Sequence, residues 1–281
     1  MGIYRPVVEQ FQRGGGAHKP PTSKKIVSPA TMLTVARPII GGRVMYDLIK
    51  GNPGVTKKTI IGAATDMEGV PARGIDKFVS FLTKQGVAVP EWLQGRGATE
   101  AGQQLDPPAD TAFAAEVTTG VIFGKNTSPS AKLAAMIIAA KEGRKTAWYA
   151  SKSKAYGDAL SERGLEREKL IVPVSKAGKE GMTEALVGMV LAVTTSDLKD
   201  KKVPALRTIA GILAVGHAVV AFARGELVTR HYDTEATAMI AELKDGIIDG
   251  QEEFPFTEMP NTPVFSLGKK LNNATPDTIE A

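Results

Sequence analysis

Apolar segments rich in Ala, Leu, Met and Ile recur six times along this 281-residue chain. They lie at roughly 28–48, 57–85, 99–124, 129–152, 173–197 and 203–227. Residues of this kind favour helix, and the alternation of β-branched and aromatic residues that marks a half-buried strand is scarce. Pro-Gly or charged turns separate the segments, as at Gly51-Asn52-Pro53-Gly54, Ser128-Pro129 and Asp197 to Lys202. The expectation is an all-α fold, a six-helix bundle, with no internal repeat.

Whether such a bundle sits in water or in lipid turns on the length of its uncharged runs. The longest is Thr208 to Ala223, 16 residues between Arg207 and Arg224, just short of the ~18 that mark a membrane span. Ala185 to Ser196 follows, and Leu133 to Ala140 is a shorter run of the same kind. Length alone favours a soluble helical domain, whereas the regular recurrence of apolar segments favours a transmembrane bundle. No secretory leader is expected, because the basic N-terminus has no apolar stretch before Ile26.

The chain has no cysteine, which excludes disulfide scaffolds, Cys-ligated zinc, iron–sulfur ligation and thiol nucleophiles. With three histidines (His18, His217, His231) a His-rich metal site is excluded too. Any metal must be held through oxygen, which selects magnesium, calcium or manganese. The net charge of +5 is unevenly spread. Arg5, Arg13, Lys19, Lys24 and Lys25 make residues 1–27 a basic tail, while ten acidic residues against three lysines mark 231–281. The organisation expected is a basic N-terminal tail (1–27), a helical domain (28–227) and an acidic C-terminal extension (228–281).

Carboxylates concentrate in two places. One is Asp66-Met67-Glu68-Gly69-Val70-Pro71-Ala72-Arg73, the other Gly102-Gln103-Gln104-Leu105-Asp106-Pro107-Pro108-Ala109-Asp110. Asp106 and Asp110 are four apart, so on a helix they point the same way and repel unless a cation lies between them. Asp66 and Glu68 can complete an all-oxygen cage from a neighbouring helix, and Gly69 and Gly102 let a ligand approach the backbone. The plainer alternative makes Asp106 a helix N-cap before Pro107 and leaves Asp110 facing solvent.

These segments resemble the signature of the CDP-alcohol phosphatidyltransferases: Asp-x2-Asp-Gly-x2-Ala-Arg, followed by Gly-x3-Asp-x3-Asp. Gly102, Asp106 and Asp110 fit the second half, and Glu68-Gly69-x2-Ala72-Arg73 fits the first with Glu for the second Asp. Thr31-Met32-Leu33-Thr34-Val35-Ala36-Arg37 resembles the family's opening N-x-L-T-x-x-R. Val174-Ser175-Lys176-Ala177-Gly178-Lys179 resembles the basic stretch that opens its fifth helix. The resemblance spans roughly 28–227, with the motifs in order. The chain departs from the pattern at Thr65, where the first Asp belongs and from which Asp66 is one residue out of phase. It departs again at Pro71 within that helix, in the inserted residues around Gly74 to Ala98, and in the higher charge of its helices.

The resemblance implies a multi-pass protein of the cell (inner) membrane that transfers a phosphatidyl group from CDP-diacylglycerol to a polar alcohol, releasing CMP. Glycerol 3-phosphate is the expected acceptor, because the bacterial phosphatidylglycerophosphate synthases look nearest. It implies Asp110 as the base and Asp66, Glu68, Asp106 and Asp110 as ligands of Mg2+ or Mn2+. Gly69, Ala72, Arg73 and Gly102 would line the CDP pocket, and Arg37, Arg144 and Lys179 would bind the acceptor's phosphate. A positive-inside collar explains Arg37, Arg144, Lys145 and Lys179 equally well. No nucleic-acid partner is expected, and a homodimer is compatible. The alternatives are a non-catalytic relative serving as membrane scaffold or lipid-binding protein, and an unrelated soluble helical protein.

Other residues read as structural. His217 is expected in the core with no partner, and Met182 to Met189 is core or lipid-facing. Asn126-Thr127-Ser128 matches a glycosylation sequon and is discounted for want of a leader. The connection 151–172 is expected on the same side of the bundle as the N-terminus, and Pro90 to Gly95, with Trp92, in a loop outside it.

Overall fold

The computed structural model describes residues 29–64, 100–168, 170, 172 and 175–248. Among these there are six helices and no strand, as expected for an all-α chain. They are α1 (Pro29–Lys50), α2 (Val55–Ala64), α3 (Glu100–Phe123), α4 (Pro129–Glu162), α5 (Lys176–Asp200) and α6 (Pro204–Lys244). The inserted segment around Gly74 to Ala98, with Trp92, lies outside the described residues, as do both terminal tails.

Three short turns gather at one end of the bundle and are tied together there. Gly51 and Gly54 close the α1–α2 turn with φ of 79° and 75°, a backbone that side-chain-bearing residues rarely adopt. Asp47, fully buried, accepts from Arg43 (3.1 Å), Asn52 (2.8 Å) and Lys58 (2.6 Å) and so fixes that turn. The first turn of α2 is capped from another helix. Asp197 of α5 accepts from the backbone N–H groups of Gly54 (2.9 Å), Val55 (3.2 Å) and Thr56 (2.9 Å). Asn126 joins all three turns, donating to the Gly51 carbonyl and accepting from Lys199 at 2.8 Å, while its own carbonyl accepts from Arg207 at 2.9 Å. The sequon residues thus serve the turn, and Thr127 is buried. Ser128 caps α4 by accepting from Ala131 N, with Pro129 at the first helical position.

Between the turns and the opposite end, one apolar core draws on all six helices, through residues such as Val44, Val55, Phe113, Ile138, Met189 and Ala218. Small residues let the helices close in. A Cβ on Gly120 of α3 would lie 2.7 Å from the Met45 Cα of α1. Met182 and Met189 belong to this core.

Two helices outrun the sequence expectation. The fourth segment was expected to end near 152 and the sixth near 227, yet α4 continues to Glu162 and α6 to Lys244. Past the bundle these two run side by side in the same direction. Their seam is closed by Trp148 to Asp233, Lys152 to Thr237 and Arg163 to the Ile248 carbonyl. A second core of Tyr156, Ala159, Leu160, Leu170, Ala236, Met239, Leu243 and Ile248 lies along it. Tyr232, Ala236, Met239 and Leu243 follow the 4-3-4 spacing of a coiled-coil seam. The uncharged runs used to bound the helices miss such a stripe, because charged residues surround it. The backbone therefore has no break at 227, where the acidic extension was drawn. α4 leaves the bundle at the end where α1 begins, so its residues 151–162 lie on that side.

Much of the outer surface of the bundle is apolar. Met32, Val35 and Ile39 on α1, Ile60 and Ile61 on α2, Leu133 and Met136 on α4, Val187 on α5, and Leu206, Ile209, Ile212, Leu213 and Val219 on α6 are all exposed. Among the described residues α6 is the one helix long and apolar enough to cross a membrane. Only 28% of its most apolar stretch is buried, whereas the core helix of a soluble protein is mostly buried.

Candidate active site

The site is built on the seam between α1 and α3, near the middle of both helices. α3 brings Asp110 there and α1 brings Arg37. Arg37 is 3% exposed, and its guanidinium forms an ion pair with the Asp110 carboxylate, which is 24% exposed. The pair joins two motifs far apart in sequence, the Leu33-Thr34-x2-Arg37 opening and the Gly102-x3-Asp106-x3-Asp110 run. Asp110 therefore faces a buried partner, not open solvent. Nor does Asp106 cap a helix. α3 begins at Glu100, and Asp106, Pro107 and Pro108 are inside it. Asp106 and Asp110 thus belong to one helix, four residues apart.

Pro38 follows Arg37 inside α1 and cannot donate to the Thr34 carbonyl. Farther along the same α1–α3 seam, the Glu116 carboxylate lies over Gly41 and Gly42, where a Cβ on Gly41 would meet it. Asp66, Glu68, Gly69, Ala72 and Arg73 lie outside the described residues, as do the side chains of residues 100–107, Asp106 among them; of Gly102 only the place in α3 is described. Among the described residues no three His, Asp or Glu side chains converge on a common point.

The three cations expected around an acceptor phosphate lie on separate helices with separate roles. Arg37 is taken up by Asp110. Arg144 on α4 bridges to Glu226 on α6 at 3.0 Å. Lys179 is exposed on the first turn of α5, which Ser175 caps by accepting from Gly178 N at 3.0 Å. Nearby, Lys141 and Glu142 form a pair at 2.5 Å, both 8% exposed, with the Lys141 stem lying over Gly225 of α6. Burial pushes the Glu142 carboxyl up, but Lys145 and Lys141 outweigh it and hold the group below the ordinary carboxylate range.

Sequence reasoning missed a second polar cluster on the α5–α6 seam. His217 is not a partnerless core residue. It is 36% exposed, and its Nδ1 lies 2.6 Å from Glu184 Oε2. Arg224 completes the cluster at 3.1 Å from Glu180 and 3.7 Å from Glu184. The signal was available, since Glu180, Glu184, His217 and Arg224 recur at helical spacings, but which helices pair is not written in spacing. No known protein family, curated protein or solved structure matches this chain.

Proposed function

We propose that this chain is a membrane-embedded transferase of the CDP-alcohol phosphatidyltransferase type, moving a phosphatidyl group from CDP-diacylglycerol to a polar alcohol, with glycerol 3-phosphate the favoured acceptor. The observation that carries the reading is the Arg37–Asp110 pair, since it unites the opening motif with the second half of the carboxylate signature on one helix–helix seam. The apolar outer surface of that bundle supports placing it in lipid with several spans, α6 among them.

The donor chemistry fits a hard divalent cation. Asp106 and Asp110 offer carboxylate oxygens from one helix face, with Asp66 and Glu68 the candidates from the preceding segment, and the chain has no thiol to compete. Mg2+ or Mn2+ held there supplies charge neutralisation for the pyrophosphate of the donor. Asp110 takes the proton from the acceptor hydroxyl. The freed oxygen bonds to the phosphorus beside the lipid, the bond from that phosphorus to the CMP oxygen breaks, and CMP leaves with the electron pair. Arg37 balances the charge of Asp110.

A second reading, a non-catalytic relative acting as scaffold or lipid-binding protein, draws on Thr65 standing where the first Asp of the signature belongs. One assay separates them: CMP release from CDP-diacylglycerol and glycerol 3-phosphate by purified protein, with and without magnesium or manganese. Metal-dependent release is expected. None with any polar alcohol leaves the scaffold reading.

A further inference from the structure

Beyond the bundle, the parallel α4–α6 pair carries a groove of about 490 Å³, lined by Arg144, Trp148, Glu226, Arg230 and Asp233 with Thr229 and Thr234. Its polar groups are ordered by contacts across the seam. Glu226 Oε1 takes both arginines, Arg144 at 3.0 Å and Arg230 at 2.9 Å. One carboxylate thus holds two guanidiniums side by side, and each keeps further N–H donors. The arginines are 59% and 75% exposed, while Glu226 is 16% exposed. Asp233 fixes the other wall, accepting from the Trp148 indole N–H at 2.7 Å and pairing with Lys152 at 2.9 Å. Arg144, Arg230 and Lys152 against Glu226 and Asp233 leave a net positive charge beside an aromatic ring of fixed orientation.

We infer that this groove is a binding site for a phosphate-bearing anion, separate from the Asp110 site. Two guanidiniums on neighbouring helices form the kind of fork that a phosphate's oxygens match. The anion displaces Glu226 as the acceptor of one or both arginines, and the Trp148 ring packs against whatever the phosphate is attached to. The position suits a lipid headgroup, a point that rests on the proposed membrane reading. The uncharged run of α6 ends at Ala223, and Glu226 follows within one turn. At about 1.5 Å per residue, Glu226, and Arg144 paired with it, fall in the headgroup layer, and Asp233 stands about 10 Å farther out. A free phosphate ester offers the same chemistry to the same arginines.

Trp148 is its own reporter once the only other tryptophan is removed by Trp92→Phe. The full chain carrying that change would be titrated in two ways: with inorganic phosphate in neutral detergent, and with phosphatidylglycerol added to phosphatidylcholine nanodiscs. A saturable change in Trp148 emission is expected in at least one titration. Response to phosphatidylglycerol alone identifies a headgroup, and response to both identifies the phosphate itself. Arg144→Gln with Arg230→Gln should weaken binding at least about tenfold, the loss of two charge-assisted bonds. Glu226→Gln, which removes the internal competitor, should tighten it. Circular dichroism checks that each variant keeps its helices. No response to either probe, or a response that survives loss of both arginines in folded protein, overturns the site. Neither result depends on CMP release, so the groove and the transferase reading fail separately.

Discussion

Arg37, 3% exposed on α1, holds the Asp110 carboxylate of α3 in an ion pair. Removing one partner of a buried pair strands the other charge. Arg37→Met should therefore destabilise the fold by about 3 kcal/mol, the lower end of the range for buried pairs, since Asp110 keeps some access to solvent. Arg37→Met with Asp110→Asn should recover most of that loss. Thermal unfolding of the purified single and double variants measures the coupling, and additive losses would mean the pair is not formed.

The proposed chemistry divides the carboxylates by role. Asp110→Asn should abolish CMP release with the helices intact, because the amide keeps the shape but cannot take a proton. Asp106→Asn and Glu68→Gln should instead raise the magnesium or manganese requirement, since an amide oxygen is a poorer ligand. Asp66→Asn decides whether that residue joins the site: a loss equal to that of Asp106→Asn places it there, and a silent change removes it.

Asp197 caps a helix to which it does not belong. Asp197→Ala leaves three N–H groups without their acceptor and should cost about 2 kcal/mol, the upper end for a helix cap. Asp197→Asn, with one oxygen left to accept, should cost less. Denaturant or thermal midpoints would show the order.

Gly120 permits α3 to lie against Met45 of α1. Gly120→Val puts a branched side chain where the first added carbon is already 2.7 Å from backbone, and the helices must separate. A loss of about 1–3 kcal/mol is expected. The α1–α3 seam also positions Arg37 against Asp110, so this variant should lower activity as well as stability.

Glu142 sits below its ordinary value of 4.5 in the folded chain. A depressed carboxylate stabilises the fold above the unfolded pKa, and this contribution fades as pH falls through the lower folded value. The stability gap between the parent chain and Glu142→Gln should be steady from about pH 5 to 7 and shrink below the ordinary carboxylate range. Melting curves taken across that range check it, and a gap that grows on acidification would contradict the assignment.

What the sequence determined by itself was local. Helical type and most helix limits follow from composition and turn chemistry read over a few residues. The Gly51 to Gly54 and Ser128-Pro129 turns and the extent of α3 were all legible in this way. The Asp106–Asp110 register is likewise a property of one helix. Only the tertiary structure decided which helices pair. Neither the meeting of Arg37 with Asp110, nor that of His217 with Glu184, nor the capping of α2 by Asp197 has a signature in spacing, because each joins residues far apart in the chain. The extensions of α4 and α6 were missed for the same reason. An uncharged run marks where a helix can be buried on every side, but a stripe such as Tyr232, Ala236, Met239 and Leu243 becomes a core only once a second helix lies along it.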